Sequence, residues 1–283
     1  MANDRMILIT GVSGKQGGAV ARALEGQGFR LRGLTRKPDS EKAAALAQRG
    51  VEIVSGDLDD EASLRRALAG AWGVFGVQNT WEAGVEKEEV QGKRLATLAR
   101  EAGVQHFVYT SVGSAHKKTG IPHFENKWRI EETVRGLEFP SHVILRPVFF
   151  MENLLEPFML SGDTLSMGLD PQTKLQMIAV DDIGWFGARA FTEAASLNGR
   201  ELDLAGDLVT IPQAAATLAQ ALGRPIAFVR TPIEQVRQYS EDTALMLEWF
   251  DRVGYSADIA GLAREFSWRP TTLAEWATRR AAR

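Results

Sequence analysis

The chain has 283 residues, of which 45% are hydrophobic and 24% charged, so it should fold around a sizeable core as one large α/β domain or a domain with a smaller lobe. Its formal net charge of −3 gives no general attraction to nucleic acid or to anionic membranes. The absence of cysteine excludes disulfides, thiolate catalysis and zinc–thiolate sites.

The first predicted element is a buried strand at residues 6–9, followed by a glycine-rich turn and a helix. The turn reads Gly11-x-x-Gly14-x-x-Gly17. Strand, glycine turn and helix in this order favour dinucleotide binding, because backbone N–H groups at a helix N-terminus bind phosphate. We predict that side chains at Gly11 or Gly14 would hold the phosphates off, and that Gly17 lets the helix pack close to the strand. A P-loop is excluded, because Gln16 stands where that motif requires Ser or Thr.

The second predicted strand, 30–35, ends at two basic residues, Arg36 and Lys37. In NAD-binding proteins an acidic residue at this place binds the ribose 2′-hydroxyl, whereas cations suit the 2′-phosphate of NADP. The first acidic residue here is Asp39. The two cations could simply decorate a loop, but the glycine turn upstream favours NADP(H).

Further strands are predicted at 51–55 and 72–77, and polar residues follow each of them. Asp57 comes after the first, where it would contact the adenine edge of a dinucleotide or cap a turn. Gln78 and Asn79 come after the second, beside the crevice expected at the carboxyl ends of parallel strands.

A long helix is predicted at 86–102, with a charged face interpreted as solvated surface and made of Glu86, Lys87, Glu88, Glu89, Lys93 and Arg94. A fifth strand follows at 106–111. A helix beginning near His123 carries Lys127, and a sixth strand spans 142–146. Six strands with helices between them predict a Rossmann-type, doubly wound parallel sheet.

Beyond residue 147 this rhythm loosens into an apolar stretch at 149–159, which is interpreted as lobe core, substrate-pocket wall or both. Strands are predicted at 174–180 and 201–204, with Pro212 at the first position of a later helix and a mostly helical tail from residue 233.

The predicted organisation is therefore a Rossmann domain at 1–150 and a smaller, mostly helical lobe at 151–283. The lobe is expected to pack on the first domain, to be partly interleaved with it and to close a cleft.

Taken together, the motifs resemble the NmrA-like family of atypical extended short-chain dehydrogenase/reductases. The resemblance covers about residues 5 to 205 and rests on the glycine turn together with Leu34-Thr35-Arg36, Gly56-Asp57-Leu58, Val77-Gln78-Asn79, the 106–111 strand, His123-Phe124-x-x-Lys127, Arg146-Pro147-x-Phe149-Phe150-x-Glu152-Asn153 and Ala179-Val180-Asp181-Asp182-Ile183-Gly184. It implies NADP(H) as cofactor and a carboxyl-terminal lobe over the nicotinamide end. It also adds cofactor-binding candidates at Ser13, Lys15, Gln16, Lys127, Pro147, Phe150 and Asn153.

The tyrosine that ordinary short-chain reductases use is missing from its usual place. Those enzymes have a Tyr four residues before a Lys on one helix face. None of the three tyrosines here, at 109, 239 and 255, is followed by such a lysine. The family's lysine position is Lys127, and His123 stands four residues before it. Ser111 matches the family's serine region, so the catalytic candidates are Lys127, His123 and Ser111.

Two functions remain open at this point. In the first, the chain is an NADPH-dependent reductase of a quinone, enone or imine. His123 then supplies a proton, with a pKa lowered by the Lys127 cation, or else water supplies it. In the second, the site is catalytically silent, and the protein senses NADPH and NADP for a protein partner.

The remaining expectations concern setting and partners. No signal peptide or membrane span is evident, so a cytoplasmic location without membrane binding is expected. The partner is a small-molecule substrate or a regulatory protein, and neither direct nucleic-acid binding nor a metal is expected. A monomer or a homodimer fits equally well.

Overall fold

The computed structural model describes residues 5–282, which form thirteen strands and twelve α-helices. The strands are β1 Met6–Ile9, β2 Arg30–Thr35, β3 Val51–Ser55, β4 Ala71–Gly76, β5 His106–Thr110, β6 Ser141–Pro147, β7 Phe149–Phe150, β8 Leu160–Ser161, β9 Thr164–Met167, β10 Lys174–Ile178, β11 Glu201–Leu204, β12 Asp207–Thr210 and β13 Ala227–Arg230. The helices are α1 Lys15–Leu24, α2 Glu41–Gln48, α3 Glu61–Leu68, α4 Thr80–Ala83, α5 Val85–Glu101, α6 Pro122–Gly136, α7 Val180–Thr192, α8 Ile211–Leu222, α9 Ile233–Tyr239, α10 Glu241–Arg252, α11 Ile259–Glu265 and α12 Leu273–Ala281.

The chain divides into two compact units. The first contains the described residues up to Ser111 together with Glu125–Arg146 and Ile183–Leu202. The second contains Val112–Phe124, Pro147–Asp182 and the described residues from Asp203 onward. Within residues 5–282, no helix combines the length and the apolar character needed to cross a membrane.

A seven-stranded parallel sheet organises the first unit, in the order β11-β6-β5-β4-β1-β2-β3. Strand β1, which lies between β4 and β2, is buried at all four positions, as its unbroken apolar run predicts. The strand order reverses between β1 and β4, and ligands of such sheets bind where this reversal opens a crevice at the carboxyl ends of the strands. The predicted Rossmann-type class is confirmed, and the short strand at 201–204 extends the sheet by one edge strand.

Helix α1 is fixed against helix α7 by small residues. A Cβ atom added to Gly184 would lie 2.7 Å from the carbonyl oxygen of Ala19, and one at Gly187 would lie 2.5 Å from a methyl group of Val20. Since both distances are shorter than real Cβ contacts, only glycine lets the two helices approach this closely. The close packing sets the position of the N-terminus of α1.

The second unit is built on two three-stranded sheets, β12-β10-β7 and β13-β9-β8, together with helices α8 to α12. Its core includes Met151, Leu165, Leu175 and Trp249. The prediction that Pro212 opens a helix at its first position is wrong by one residue. Thr210 caps α8 by accepting the N–H of Gln213, so Pro212 takes the second position.

His106 is a buried, ordinarily titratable group inside the first unit. Its ring stacks on Trp72 at a centroid distance of 5.6 Å, and its Nδ1 lies 2.8 Å from the hydroxyl oxygen of Ser141. That hydroxyl donates to the carbonyl of Ala194, so it accepts from Nδ1–H of the neutral ring. Burial lowers the pKa of His106 to about 4.

We expect His106 to make the first unit acid-sensitive. An unfolded histidine takes up a proton near pH 6.5, whereas the native ring does so only near pH 4. Between these values the unfolded state binds more protons, so the free energy of unfolding falls as pH drops, by at most about 1.4 kcal/mol per pH unit. Chemical denaturation of wild type and His106→Phe from pH 7 to pH 4 measures this slope, which should be shallower in the variant. Replacing the exposed His116 by alanine should leave the wild-type slope unchanged.

Candidate functional site

The glycine turn after β1 has no room for side chains at its two most constrained positions. Gly11 has a φ of +57°, in the left-handed region that favours glycine. A Cβ atom at Gly17 would lie 2.4 Å from the carbonyl oxygen of Gly11 and 2.6 Å from that of Thr10. Gly17 therefore lets α1 start directly against the end of β1, as the sequence predicts.

Thr10 holds the start of this turn against the end of β4. This residue was not singled out in the sequence analysis. Its hydroxyl lies 3.2 Å from the carbonyl oxygen of Phe75 and 3.0 Å from that of Val77, and it accepts the N–H of Val77 at 2.8 Å. These contacts join the carboxyl ends of β1 and β4. A polar residue closing an otherwise apolar strand was the available signal.

The N-terminus of α1 is suited to a phosphate. Its N-cap residue is Gly14, which brings no side chain to compete for the first N–H groups, and its first turn contains no carboxylate. The helix dipole adds positive potential at this end. Ser13 is half-buried and Lys15 exposed, while Gln16 accepts a hydrogen bond from Thr110 at 2.6 Å through its side-chain oxygen.

Arg36 and Lys37 are both exposed where β2 ends. The guanidinium of Arg36 lies 2.5 Å from a carboxylate oxygen of Glu82 in the short helix α4. Both partners are more than half exposed, so the ion pair is of a kind that contributes little to stability. It leaves the arginine available to a more highly charged group such as a 2′-phosphate.

Asp57 follows β3 and belongs to a turn. Its carboxylate accepts the N–H of Asp59 at 3.0 Å, and its own N–H donates to the hydroxyl of Ser63 at the same distance. The structure thus shows the turn-capping alternative in place. The adenine contact stays a prediction.

Two buried polar side chains follow the neighbouring strands β4 and β5. The Gln78 amide is 6% exposed and the Ser111 hydroxyl side chain 4% exposed, and neither has a hydrogen-bond partner among residues 5–282. Buried polar groups are normally paired, because each unsatisfied one costs about 1–3 kcal/mol. Their place at the carboxyl edge of the sheet favours a polar ligand. The next residue, Asn79, is exposed and caps α4 by accepting the N–H of Trp81 at 3.1 Å.

The interpretation of the long helix α5 as having a fully solvated charged face is wrong at Glu88. This residue is 0% exposed, and one of its carboxylate oxygens lies 2.7 Å from the ammonium of Lys127. The other oxygen accepts a 3.0 Å hydrogen bond from Asn126 and a short one from Thr80. Charge periodicity along α5 could not reveal partners that come from α4 and α6.

The surroundings of Glu88 keep it ionised. Burial alone would raise its pKa, but the positive charge of Lys127 and hydrogen bonds from Lys127, Thr80 and Asn126 together hold the pKa of this carboxyl below its usual value. Lys127 is itself only 12% exposed, so Glu88 fixes the ammonium in place and balances its charge.

His123 lies in the first turn of α6 and is 6% exposed. Its Nδ1 lies 2.5 Å from Oδ2 of Asp242, although the ring is not aligned for a linear hydrogen bond. The other carboxylate oxygen of Asp242 accepts the backbone N–H of His123 at 2.9 Å. Sequence reasoning missed Asp242, which lies on α10 and has no local signature linking it to His123.

The apolar stretch after β6 contributes mainly to the core of the second unit. Met151 and Leu154 are fully buried there, whereas Phe158 is 74% exposed. The predicted cofactor contacts in this region differ in accessibility, since Pro147 is buried while Phe150 and Asn153 are half-buried. Their contact with a cofactor stays a prediction.

Comparisons with known proteins agree with this architecture. The sequence pattern of the NmrA-like family matches residues 3–277. An NAD(P)H azoreductase from Xenophilus azovorans is 31% identical over 242 residues, covering 82% of this chain and 79% of the azoreductase.

Two solved structures illustrate the similarity of fold. The NADPH-dependent quinone oxidoreductase QOR2 of Escherichia coli, complexed with NADPH, has a TM-score of 0.80 and 24% identity, covering 97% of this chain and 99% of its own. NmrA, a negative transcriptional regulator in complex with NADP, has a TM-score of 0.78 and 20% identity, covering 97% of this chain and 94% of its own.

Proposed function

Because the chain belongs to the NmrA-like family of NAD(P)-binding oxidoreductases, we propose that it binds NADP(H) and reduces a small conjugated substrate of the quinone, enone or imine type. The observation that carries the cofactor assignment is the uncapped N-terminus of α1 behind a glycine turn that admits no side chain at Gly17. Backbone N–H groups there would hold the pyrophosphate. The complexes of QOR2 with NADPH and of NmrA with NADP support the same cofactor.

The other candidate residues are assigned by their chemistry. Arg36 and Lys37 would pair with the 2′-phosphate, and the buried, unpartnered side chains of Gln78 and Ser111 would hydrogen-bond the nicotinamide half. Lys127, fixed by Glu88, would anchor the nicotinamide ribose.

The proposed reaction needs one hydride and one proton. When bound, NADPH would supply the hydride and with it both electrons. His123 delivers the proton as imidazolium and takes another from water, so each turnover consumes one NADPH, one solvent proton and one acceptor. The names of the azoreductase and of QOR2 indicate azo and quinone substrates. Compounds of both classes therefore belong among the acceptors to be tested.

The test is to follow NADPH fluorescence and absorbance with the purified chain, first alone and then with quinones, enones, imines and azo dyes. Binding followed by acceptor-dependent oxidation would support the reductase. Absence of NADPH binding would contradict the cofactor assignment itself.

We expect a double Arg36→Ala, Lys37→Ala variant to weaken NADPH binding about tenfold or more and to leave NADH binding within about twofold, because charge-assisted hydrogen bonds to a phosphate are lost only in the first case. Fluorescence titrations of both cofactors measure this. The exposed Lys42→Ala, on α2, controls for the loss of a positive charge near this turn. Equal losses for both cofactors would remove the 2′-phosphate role.

A second function is favoured by one specific observation. Lys127 has no tyrosine four residues before it, and its ammonium is held by the buried Glu88 carboxylate, so it is placed to bind without taking part in proton transfer. The chain would then report the NADPH/NADP ratio to a protein partner. Tight NADPH binding with no oxidation by any acceptor in the panel would favour this redox sensor.

A further inference from the structure

The contact between His123 and Asp242 has no role in the assignments above, and it has the features of an orienting pair. Asp242 approaches the histidine at two points, with Oδ2 2.5 Å from the ring Nδ1 and Oδ1 2.9 Å from the backbone N–H. The backbone hydrogen bond fixes the carboxylate at the start of α6, and its second oxygen then lies beside the ring nitrogen.

Both partners are held on rigid elements. Asp242 lies in the first turn of α10, whose N-cap Ser240 accepts the N–H of Thr243, and its side chain is only 15% exposed. The His123 ring packs edge-on against Phe124 at a centroid distance of 4.7 Å, and Phe124 in turn packs against Trp249 of α10. The second-unit core therefore restrains the imidazole and the carboxylate together.

We propose that Asp242 is a positioning residue that orients the ring of His123 and selects its tautomer. A carboxylate beside Nδ1 keeps a proton on that nitrogen, which leaves Nε2 as the ring atom that gives up and regains a proton. The same division of labour is found where a buried aspartate orients a catalytic histidine without itself becoming protonated. This inference rests on the proposed reductase function, because His123 is the proposed proton donor.

The Nε2–H bond of the imidazolium breaks as the acceptor forms its new bond to hydrogen, and the bond's electron pair stays on Nε2. Water then restores that proton, while Nδ1–H remains against the Asp242 carboxylate throughout.

The primary experiment compares Asp242→Asn with Asp251→Asn in steady-state NADPH oxidation. Asp251 also lies on α10 and accepts backbone and hydroxyl hydrogen bonds, from Asp170 and Thr173, so it controls for loss of a helix carboxylate. We expect Asp242→Asn to lower kcat at least about tenfold, with the KM for the acceptor and the Kd for NADPH within about twofold, because an amide no longer holds the ring in the tautomer that leaves Nε2 to exchange its proton. Wild-type kcat in Asp242→Asn would overturn the proposal.

A double-mutant cycle separates positioning from folding. If Asp242 acts through His123, adding Asp242→Asn to His123→Ala should cause no further loss of kcat, whereas a purely structural residue would lower kcat by the same factor in both backgrounds. Equal factors would overturn the proposal.

A third readout does not depend on turnover. In ¹⁵N-detected spectra of the ring, wild-type protein should show His123 with its neutral-form proton on Nδ1, and Asp242→Asn should shift the population toward Nε2. An unchanged tautomer would overturn the proposal even if no acceptor is found. Absence of NADPH oxidation by wild-type protein would instead count against the reductase function.

Discussion

Gly17→Ala is expected to abolish measurable NADPH binding and to lower the free energy of unfolding by about 3 kcal/mol. The added methyl would lie 2.4 Å from the carbonyl oxygen of Gly11 and 2.6 Å from that of Thr10, and both atoms belong to backbone that cannot rotate away. Helix α1 must therefore move off the end of β1, which displaces the N–H groups proposed to bind phosphate. Isothermal titration with NADPH and urea unfolding measure the two effects, and we expect at least a 100-fold loss of affinity.

Substitutions at two other glycines separate the loss of NADPH affinity from the loss of stability. Gly14→Ala places its methyl 3.1 Å from the oxygen of Gly11, at a φ of −92° that any residue adopts, so the fold should survive while affinity falls. Gly136→Ala, at the end of α6 with open space around the new methyl, should bind NADPH as wild type does. Wild-type affinity in Gly17→Ala would mean that the cofactor does not bind at this turn.

The Rossmann sheet could be predicted because its signals are contiguous in the sequence. Strands β2 and β3 have the predicted bounds, and β4 differs by one residue at each end. The reason is that β2 and β3 mix apolar and polar residues in a short segment between turns, whereas β4 is a nearly continuous apolar run. Of the small sheets of the second unit, the sequence predicts only β10, as a strand at 174–180. Their strands are only two to five residues long, and β8 and β13 carry exposed positions that hide any alternation.

The candidate site was predictable to the same extent. The glycine turn and the residues that follow β2 and β4 could be proposed as site residues because their chemistry is local to a strand end. Glu88 and Asp242 could not be, because each acts on a residue far along the chain, 39 positions away for Lys127 and 119 for the backbone of His123. No periodicity in α5 or α10 indicates which of several carboxylates will meet a partner on another helix.

Glu88 and Asp242 create different electrostatic environments at two positions of helix α6. Helix α6 carries both His123 and Lys127, and each side chain is held by an acidic residue from a different helix. Glu88 is fully buried and forms an ion pair with the Lys127 ammonium, which suits the binding role proposed for Lys127. Asp242 faces a ring that can gain and lose a proton, which suits a residue that reacts. The division of roles proposed for α6, with Lys127 binding and His123 transferring a proton, rests on what each carboxylate contacts.

His123→Ala is expected to lower the rate of NADPH oxidation about 100-fold with an imine acceptor, while the Kd for NADPH stays within about twofold. The loss follows from removing the group proposed to deliver the proton, since the cofactor assignments at the glycine turn do not involve this ring. Stopped-flow absorbance under saturating NADPH isolates the chemical step from binding. His123→Gln, which keeps a polar side chain of similar reach, should be equally slow, because an amide does not transfer protons near neutral pH.

Repeating the experiment with a quinone acceptor tests whether the protein must supply the proton, because a reduced quinone can take its proton from water. We therefore expect a smaller loss with a quinone than with an imine, and the ratio of the two losses measures how far the reaction depends on the protein's own proton donor. The exposed His116→Ala is the matched control and should retain wild-type rates with both acceptors. Wild-type rates in His123→Ala with both acceptors would mean that solvent supplies the proton to the reduced acceptor. His123 would then have no part in the reaction, and Lys127 would be the remaining candidate on α6.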